Sequence, residues 1–176
     1  MILLIRKEQP SDYKQTEDVI QQAFQNVAYS NGKEHELVRA LRTSNEFVPE
    51  LSLVSKQGKT ITGHILFTTV EIKNAGNSLI GLSLAPLSVL PEYQNQGIGT
   101  ALITFGLTTA ARLDFSVVVV LGHKEYYPKF GFVKASAYNI KPPFAVEDDL
   151  YMVKELQAGV LTTTQGTVHY SPVFML

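Results

Sequence analysis

Between two apolar runs this chain carries the stretch VLPEYQNQGIGTAL, Val89 to Leu102, with a proline, two glycines one residue apart and no lysine. It reads as a strand that hands over to a helix through a tight turn. A Gly-x-Gly at such a junction exposes several backbone N–H groups with no side chains in the way, and the helix dipole adds positive potential there. That combination can hold a phosphate. The turn is not G-x-x-x-x-G-K-[ST], and the missing lysine and hydroxyl argue against a nucleoside triphosphate with magnesium. No third glycine completes G-x-G-x-x-G after Gly97 and Gly99 either. On the bare glycine pair, a structural turn in which glycine only permits tight packing stays open.

The flanking runs extend this order. LIGLSLAPLSVL (79–90) enters the turn as a strand, and GTALITFGLTTAARL (99–113) leaves it with the length and period of a helix that packs one face on a sheet. DFSVVVVLG (114–122) is apolar at every central position, which predicts a strand covered on both faces. Upstream, ILLIRKEQ (2–9) predicts a first strand. A helix follows over 11–24, with Ser11 or Asp12 as cap and Val19, Ile20 and Phe24 as its apolar side. A second helix spans 31–42, opened by Asn-Gly and carrying Leu37, Val38 and Leu41 at core spacing. Strands at 50–57 and 60–72 flank Gly58-Lys59, a hairpin signal, and NAGNS (74–78) is another turn. After YYPKFGFVKA, which turns into a further strand, the segments 151–156 and 166–174 are strands as well. The order is β-α-α-β-β-β-α-β and then more β: a mixed α/β sheet with helices on its faces.

Composition limits the partners. At 176 residues the chain is long enough for one domain with a real core. Fifteen basic against sixteen acidic residues give no field for a polyanion, so nucleic acid is not an expected partner. No cysteine is present, which excludes disulfides, thiolate metal sites and a cysteine nucleophile. MILLIRKEQ has too few apolar residues for a signal-peptide core, and no segment has the length to span a bilayer, so the expected location is cytoplasmic.

The glycine stretch resembles motif A of the GNAT superfamily of acetyl-CoA-dependent N-acetyltransferases, whose pattern is Gln/Arg-x-x-Gly-x-Gly/Ala. Gln94, Gly97 and Gly99 fill its three defining positions. The segment order above is similar to the GNAT order, so the resemblance covers most of residues 2–135. A second segment, YYPKFGF (126–132), resembles the family's Tyr-x-x-x-Gly-Phe, with Tyr127, Gly131 and Phe132 in register. Together with GTVHYSPVF near the end it is similar to a bacterial subgroup of predicted acetyltransferases. The resemblance implies an α/β (α+β) fold: a mixed, mostly antiparallel sheet of about six to seven strands, splayed at the cofactor site, with helices on both faces. Residues 1–176 then form a single N-acetyltransferase domain. It also implies acetyl-CoA as co-substrate, a primary amine of a small molecule or protein as acceptor, no metal, no membrane partner, and a monomer or homodimer.

Carried over residue by residue, the resemblance implies that Gln94, Asn95, Gln96, Gly97, Ile98, Gly99 and Thr100 form the pyrophosphate turn. Backbone N–H groups of Leu87, Ser88 and Val89 then polarise the thioester carbonyl, and Pro86, which has no N–H to donate, suits an opening in the ladder or a bulge. Tyr127 is the implied general acid, since a phenol is protonated at neutral pH, and Tyr126 is its rival. The transfer implied is direct, through a tetrahedral intermediate. Many family members carry a glutamate base on the strand before the turn, but 79–90 has no ionisable residue. Glu34, His35, Glu36, His64, Glu71, His123 and Glu125 are candidates, and none stands out. The acidic run FAVEDDLY (144–151) reads as a solvated loop. The missing glutamate also fits a catalytically idle GNAT-fold module that binds coenzyme A, an acyl-CoA or a protein. A nucleotide-binding α/β domain is a more distant alternative.

Overall fold

The computed structural model describes residues 2–175. Its centre is a meander that the two turn signals predict. β1 (Leu3–Lys7), β2 (Phe47–Gln57), β3 (Thr60–Asn74) and β4 (Asn77–Val89) pair antiparallel in chain order. Gln57 faces Thr60 across Gly58-Lys59, and Asn74 faces Asn77 across Ala75-Gly76, so each hairpin closes with two residues. α1 (Tyr13–Phe24) and α2 (Glu34–Leu41) lie between β1 and β2, and α3 (Ile98–Arg112) follows β4. β5 (Val117–Leu121) then joins β4 in parallel, the pairing that a helical crossover permits. Beyond it come β6 (Val133–Lys134), β7 (Ile140–Lys141), β8 (Tyr151–Glu155) and β9 (Gly166–His169). The path runs β1-β2-β3-β4-β5-β8-β6, while β9 pairs the far end of β3 and also β7.

Side-chain alternation decides what covers each face. Ile65 and Phe67 of β3 pack under α3 with Leu102, Ile103 and Leu107, whereas Leu66 between them meets Ile20, Val38 and Leu41 of α1 and α2. The four valines of β5 divide the same way: Val118 and Val120 join the α3 core, and Val117 and Val119 pack under the 135–168 region. All four are fully buried, as the continuous apolar run predicts, and each such burial contributes roughly 1.5–3 kcal/mol.

Several expectations are corrected. Among the described residues the sheet has nine strands rather than about six to seven, because β6 and β7, of two residues each, and β9 are added by tertiary pairing. The strand expected at 166–174 ends at His169, and Pro172–Met175 is a 3-10 turn. The second helix starts at Glu34, not at residue 31, since Asn31 Oδ1 instead accepts the Lys33 N–H at 2.9 Å. Asp12 does not cap α1 with its side chain. Its carboxylate takes both Arg6 guanidinium nitrogens, at 2.6 and 2.9 Å, and the Gln9 N–H at 2.8 Å. Among the described residues, no helix is long and apolar enough to cross a membrane.

Candidate active site

β4 and β5 pair only at Leu82–Val118 and Ser83–Val119. Past Ser83 the two strands part, and β4 keeps a ladder partner only in β3. At the start of this fork the β3–β4 register slips, with Ile65 opposite Leu87 but Phe67 opposite Leu84. The bulge falls at Ala85-Pro86, whose peptide bond is cis. Pro86 thus sits at a bulge and at an opening together, because proline supplies no ladder donor.

The fork has unpaired donors. Leu90 N–H reaches Thr62 O of β3 at 2.9 Å, so alternation turns the N–H groups of Val89 and Leu87 the other way, into the gap. Ser88 is the exception in this trio. It lies opposite His64, its N–H points at β3, and its buried hydroxyl has no partner.

The turn that follows is held by its own glutamines. Gln94 Nε2 donates to Val89 O at 3.1 Å, and Gln96 Nε2 donates to Glu92 O at 3.0 Å. Asn95 has φ 60° and Gly97 φ 82°, two left-handed residues that reverse the chain into α3. Ala101 N–H to Gly97 O, 3.0 Å, is the first helical bond of α3, and no side chain caps the helix. Ile98, Gly99 and Thr100 therefore present first-turn N–H groups without intrahelical partners. A Cβ added at Gly97 would meet nothing within 4 Å, and one at Gly99 would come within 2.8 Å of the Tyr126 hydroxyl. These residues fit an anionic diphosphate: an open glycine cradle, unpaired amides and the positive end of a 15-residue helix.

The two tyrosines separate in space. Tyr126 is half-buried and lies over the turn with its hydroxyl beside Gly99 and Thr100; burial raises its pKa and the Thr100 side chain offsets part of that. Tyr127 is buried against Phe132, ring centroids 5.7 Å apart, and against Gly122, which follows β5. Burial pushes its pKa well above that of an ordinary phenol, helped by Tyr126 and Tyr29, so it holds its proton at any physiological pH. Tyr29, from the α1–α2 connection, was not singled out by sequence. It meets His123 Nε2 at 2.5 Å, and the Tyr127 N–H reaches His123 O at 3.3 Å.

The other candidate bases disperse. His64 is fully buried between strands, with Nε2 3.0 Å from Ser52 Oγ, and burial lowers its pKa to about 4. Glu71 belongs to the far end of β3 and is paired with Lys73 at 2.8 Å. Glu34 accepts from Ser30 Oγ at 2.5 Å, and the His35 ring has a buried, unpartnered Nδ1. Glu36 and Glu125 are exposed. In the acidic run at 144–151, Lys134 pairs Asp149 and Asp148, and Lys124 lies 3.5 Å from Asp149.

Residues 50–134, from β2 through the glycine turn to β6, match the family model described as an acetyltransferase (GNAT) domain. The N-acetyltransferase YjhQ of Escherichia coli K12 is 35% identical over 141 residues, covering 78% of each chain. The chain belongs to the GNAT N-acetyltransferases. YhbS of the same organism is 27% identical over 172 residues, 98% of each chain. Among solved structures, a GNAT family acetyltransferase from Brucella melitensis in complex with acetyl-CoA shares 34% identity, with TM-score 0.81 over 98% of each chain. E. coli YhbS in complex with CoA superposes with TM-score 0.89 at 25% identity, over 99% of this chain and 92% of that one. The GNAT fold of these relatives is the mixed, mostly antiparallel sheet described above, and the unpaired stretch of β4 beside an uncapped helix start lies within the matched residues.

Proposed function

We propose that this GNAT N-acetyltransferase binds acetyl-CoA along β4 and at the start of α3, and transfers the acetyl group directly to a primary amine. The observation that carries this reading is the parting of β4 from β5 after Ser83, which leaves the N–H groups of Leu87 and Val89 unpaired on a line that leads to the uncapped turn at Gly97. Acetyl-CoA, when bound, supplies an activated thioester that an amine attacks. The amides of Ile98, Gly99 and Thr100 receive the pyrophosphate, with Gln94 and Gln96 fixing the turn through their bonds to Val89 O and Glu92 O. Leu87 and Val89 N–H groups stand where a carbonyl oxygen gains negative charge. Tyr127, kept protonated by burial, donates its proton to the leaving sulfur, while Tyr126 closes over the diphosphate turn. His123, exposed just past β5 and bonded through Nε2 to Tyr29, is the candidate we assign to draw a proton from the amine.

The experiment is calorimetric titration with acetyl-CoA, followed by thiol release over a panel of amines. Tyr127→Phe is expected to lower kcat by about 100-fold or more with little change in acetyl-CoA affinity. Tyr126→Phe should do the reverse, raising the Kd for acetyl-CoA and sparing most of kcat. Absence of acetyl-CoA binding refutes the reading. Tight binding without turnover of any amine would favour the idle module instead.

A further inference from the structure

The fork opens onto a second space. Ser83, Leu84 and Ala85 of β4 and Leu121, the last residue of β5, form one side of a cavity of about 580 Å³. Leu37 of α2, Phe144 and the segment around Tyr170 and Phe174 form the other. The volume is in the range of cavities that enclose small-molecule ligands and far beyond what an acetyl methyl requires. Its chemistry is apolar: among the described residues that line it there is no carboxylate, lysine or arginine, and His169 is the one imidazole.

The aromatic wall is pre-assembled. Phe144 and Tyr170 have ring centroids 5.9 Å apart, Tyr170 and Phe174 5.3 Å, and the Tyr170 hydroxyl is engaged by the Tyr151 hydroxyl at 2.8 Å. The polar tip of Tyr170 is thus occupied. Leu121 and Phe144 are nonetheless 47% and 40% exposed, which is unusual for large apolar side chains gathered around one opening. A neighbouring cavity of about 480 Å³ shares Leu37 and Phe174 with this one and carries Glu34 and Glu36 against Lys33. Two carboxylates and one lysine thus adjoin an apolar chamber that reaches Ser83–Ala85 at the fork.

We propose that this chamber binds the body of the acceptor, and that the acceptor is a primary amine carrying a hydrophobic, aromatic-sized group, such as an arylalkylamine. The inference rests on the transferase reading above and adds the substrate class. Apolar surface leaves water on entering, whereas a polyamine or an amino sugar would bring several charges or hydroxyls into a chamber whose lining side chains are apolar apart from Ser83, His169 and the already bonded Tyr170. The amine nitrogen, at the head of the molecule, then lies at Ala85, where β4 leaves β5.

The test compares 2-phenylethylamine with ethanolamine at saturating acetyl-CoA. For the wild type, kcat/KM for 2-phenylethylamine should exceed that for ethanolamine by about 100-fold or more, since even one methylene in an apolar pocket is worth about ten-fold. Phe144→Asp, at a partly exposed loop position, should raise the KM for 2-phenylethylamine by about ten-fold or more and leave the acetyl-CoA affinity unchanged. Leu37→Asn serves as the second variant, with thermal melts checking that both fold. Equal or better use of ethanolamine would overturn the inference while leaving the transferase reading intact. Loss of acetyl-CoA binding in the wild type would instead remove that reading. A preference for octanoyl-CoA over acetyl-CoA that Phe144→Asp abolishes would assign the chamber to a donor chain and also overturn the proposal. If no amine is turned over, titration of 2-phenylethylamine into the protein with CoA decides: no heat that the variants alter means no acceptor chamber.

Discussion

Gly97 and Gly99 are both glycine for different physical reasons, and substitution separates them. Gly97 needs its backbone: φ is 82°, and the space around it is open. Gly97→Ala should therefore cost about 1 kcal/mol of stability from the left-handed conformation alone, read as a lower urea midpoint. Gly99 needs its missing side chain. A methyl there approaches the Tyr126 hydroxyl at 2.8 Å, so Gly99→Ala should leave stability within about 0.5 kcal/mol, as a surface change does, but displace Tyr126 and weaken acetyl-CoA binding in calorimetry. Both glycines were legible in the sequence, as was Tyr127 from its spacing to Gly131. The separate positions of Tyr126 and Tyr127 were not, because the chain divides them at the start of a 3-10 turn, Tyr127–Phe130, with Tyr126 just outside it and Pro128 in its first turn. Tyr29 carried no local signal at all, since its partner His123 is 94 residues away.

At the scale of elements, one charged network ties α1, α2 and the first strands together. Arg42, just past α2, donates to Glu8 Oε1 at 2.8 Å and to Glu17 Oε1 at 2.7 Å, and its guanidinium carbon stands 3.9 Å from the Tyr13 ring centroid. Burial alone would raise the Glu8 pKa, yet it is lowered; with His64 neutral above pH about 4, Arg42 and Ser52 are the partners that keep Glu8 ionised. Arg42→Ala would strand the Glu8 carboxylate at 1% exposure and should cost about 3–5 kcal/mol, measured by denaturant unfolding. Glu8→Gln combined with Arg42→Met should recover part of it. The long elements were readable from period and turn chemistry: the two-residue hairpins, the α3 stripe and the valine run. β6, β7 and the true end of β9 were not, since strands of two to four residues exist only through partners supplied by the rest of the fold. The apolar chamber was illegible for the same reason, as Leu37, Ala85, Phe144 and Phe174 are brought together by topology rather than by spacing.

For the whole molecule, the buried His64 makes stability depend on pH. Its pKa is about 4 in the folded chain against 6.5 when exposed, so between these values the unfolded state binds the extra proton. Stability is complete above pH about 6.5, declines as pH falls, and the full loss, on the order of 3 kcal/mol, is reached below pH about 4. Urea midpoints at pH 7.5 and pH 5 should show the drop, and His64→Gln should flatten it. The parting of β4 and β5 has a consequence of another kind. A sheet elsewhere paired strand to strand has a missing rung where Leu87 and Val89 point their N–H groups at no neighbour. If the donor binds as proposed, with its amide-bearing arm there, it would act as an inserted strand, and ligand binding and completion of the fold would become one event. Amide hydrogen exchange at Leu87 and Val89 should then be fast in the free protein and slow with acetyl-CoA, alongside a melting temperature that climbs with ligand concentration. On that reading the enzyme would finish folding each time it takes up its donor and loosen each time it lets the product go.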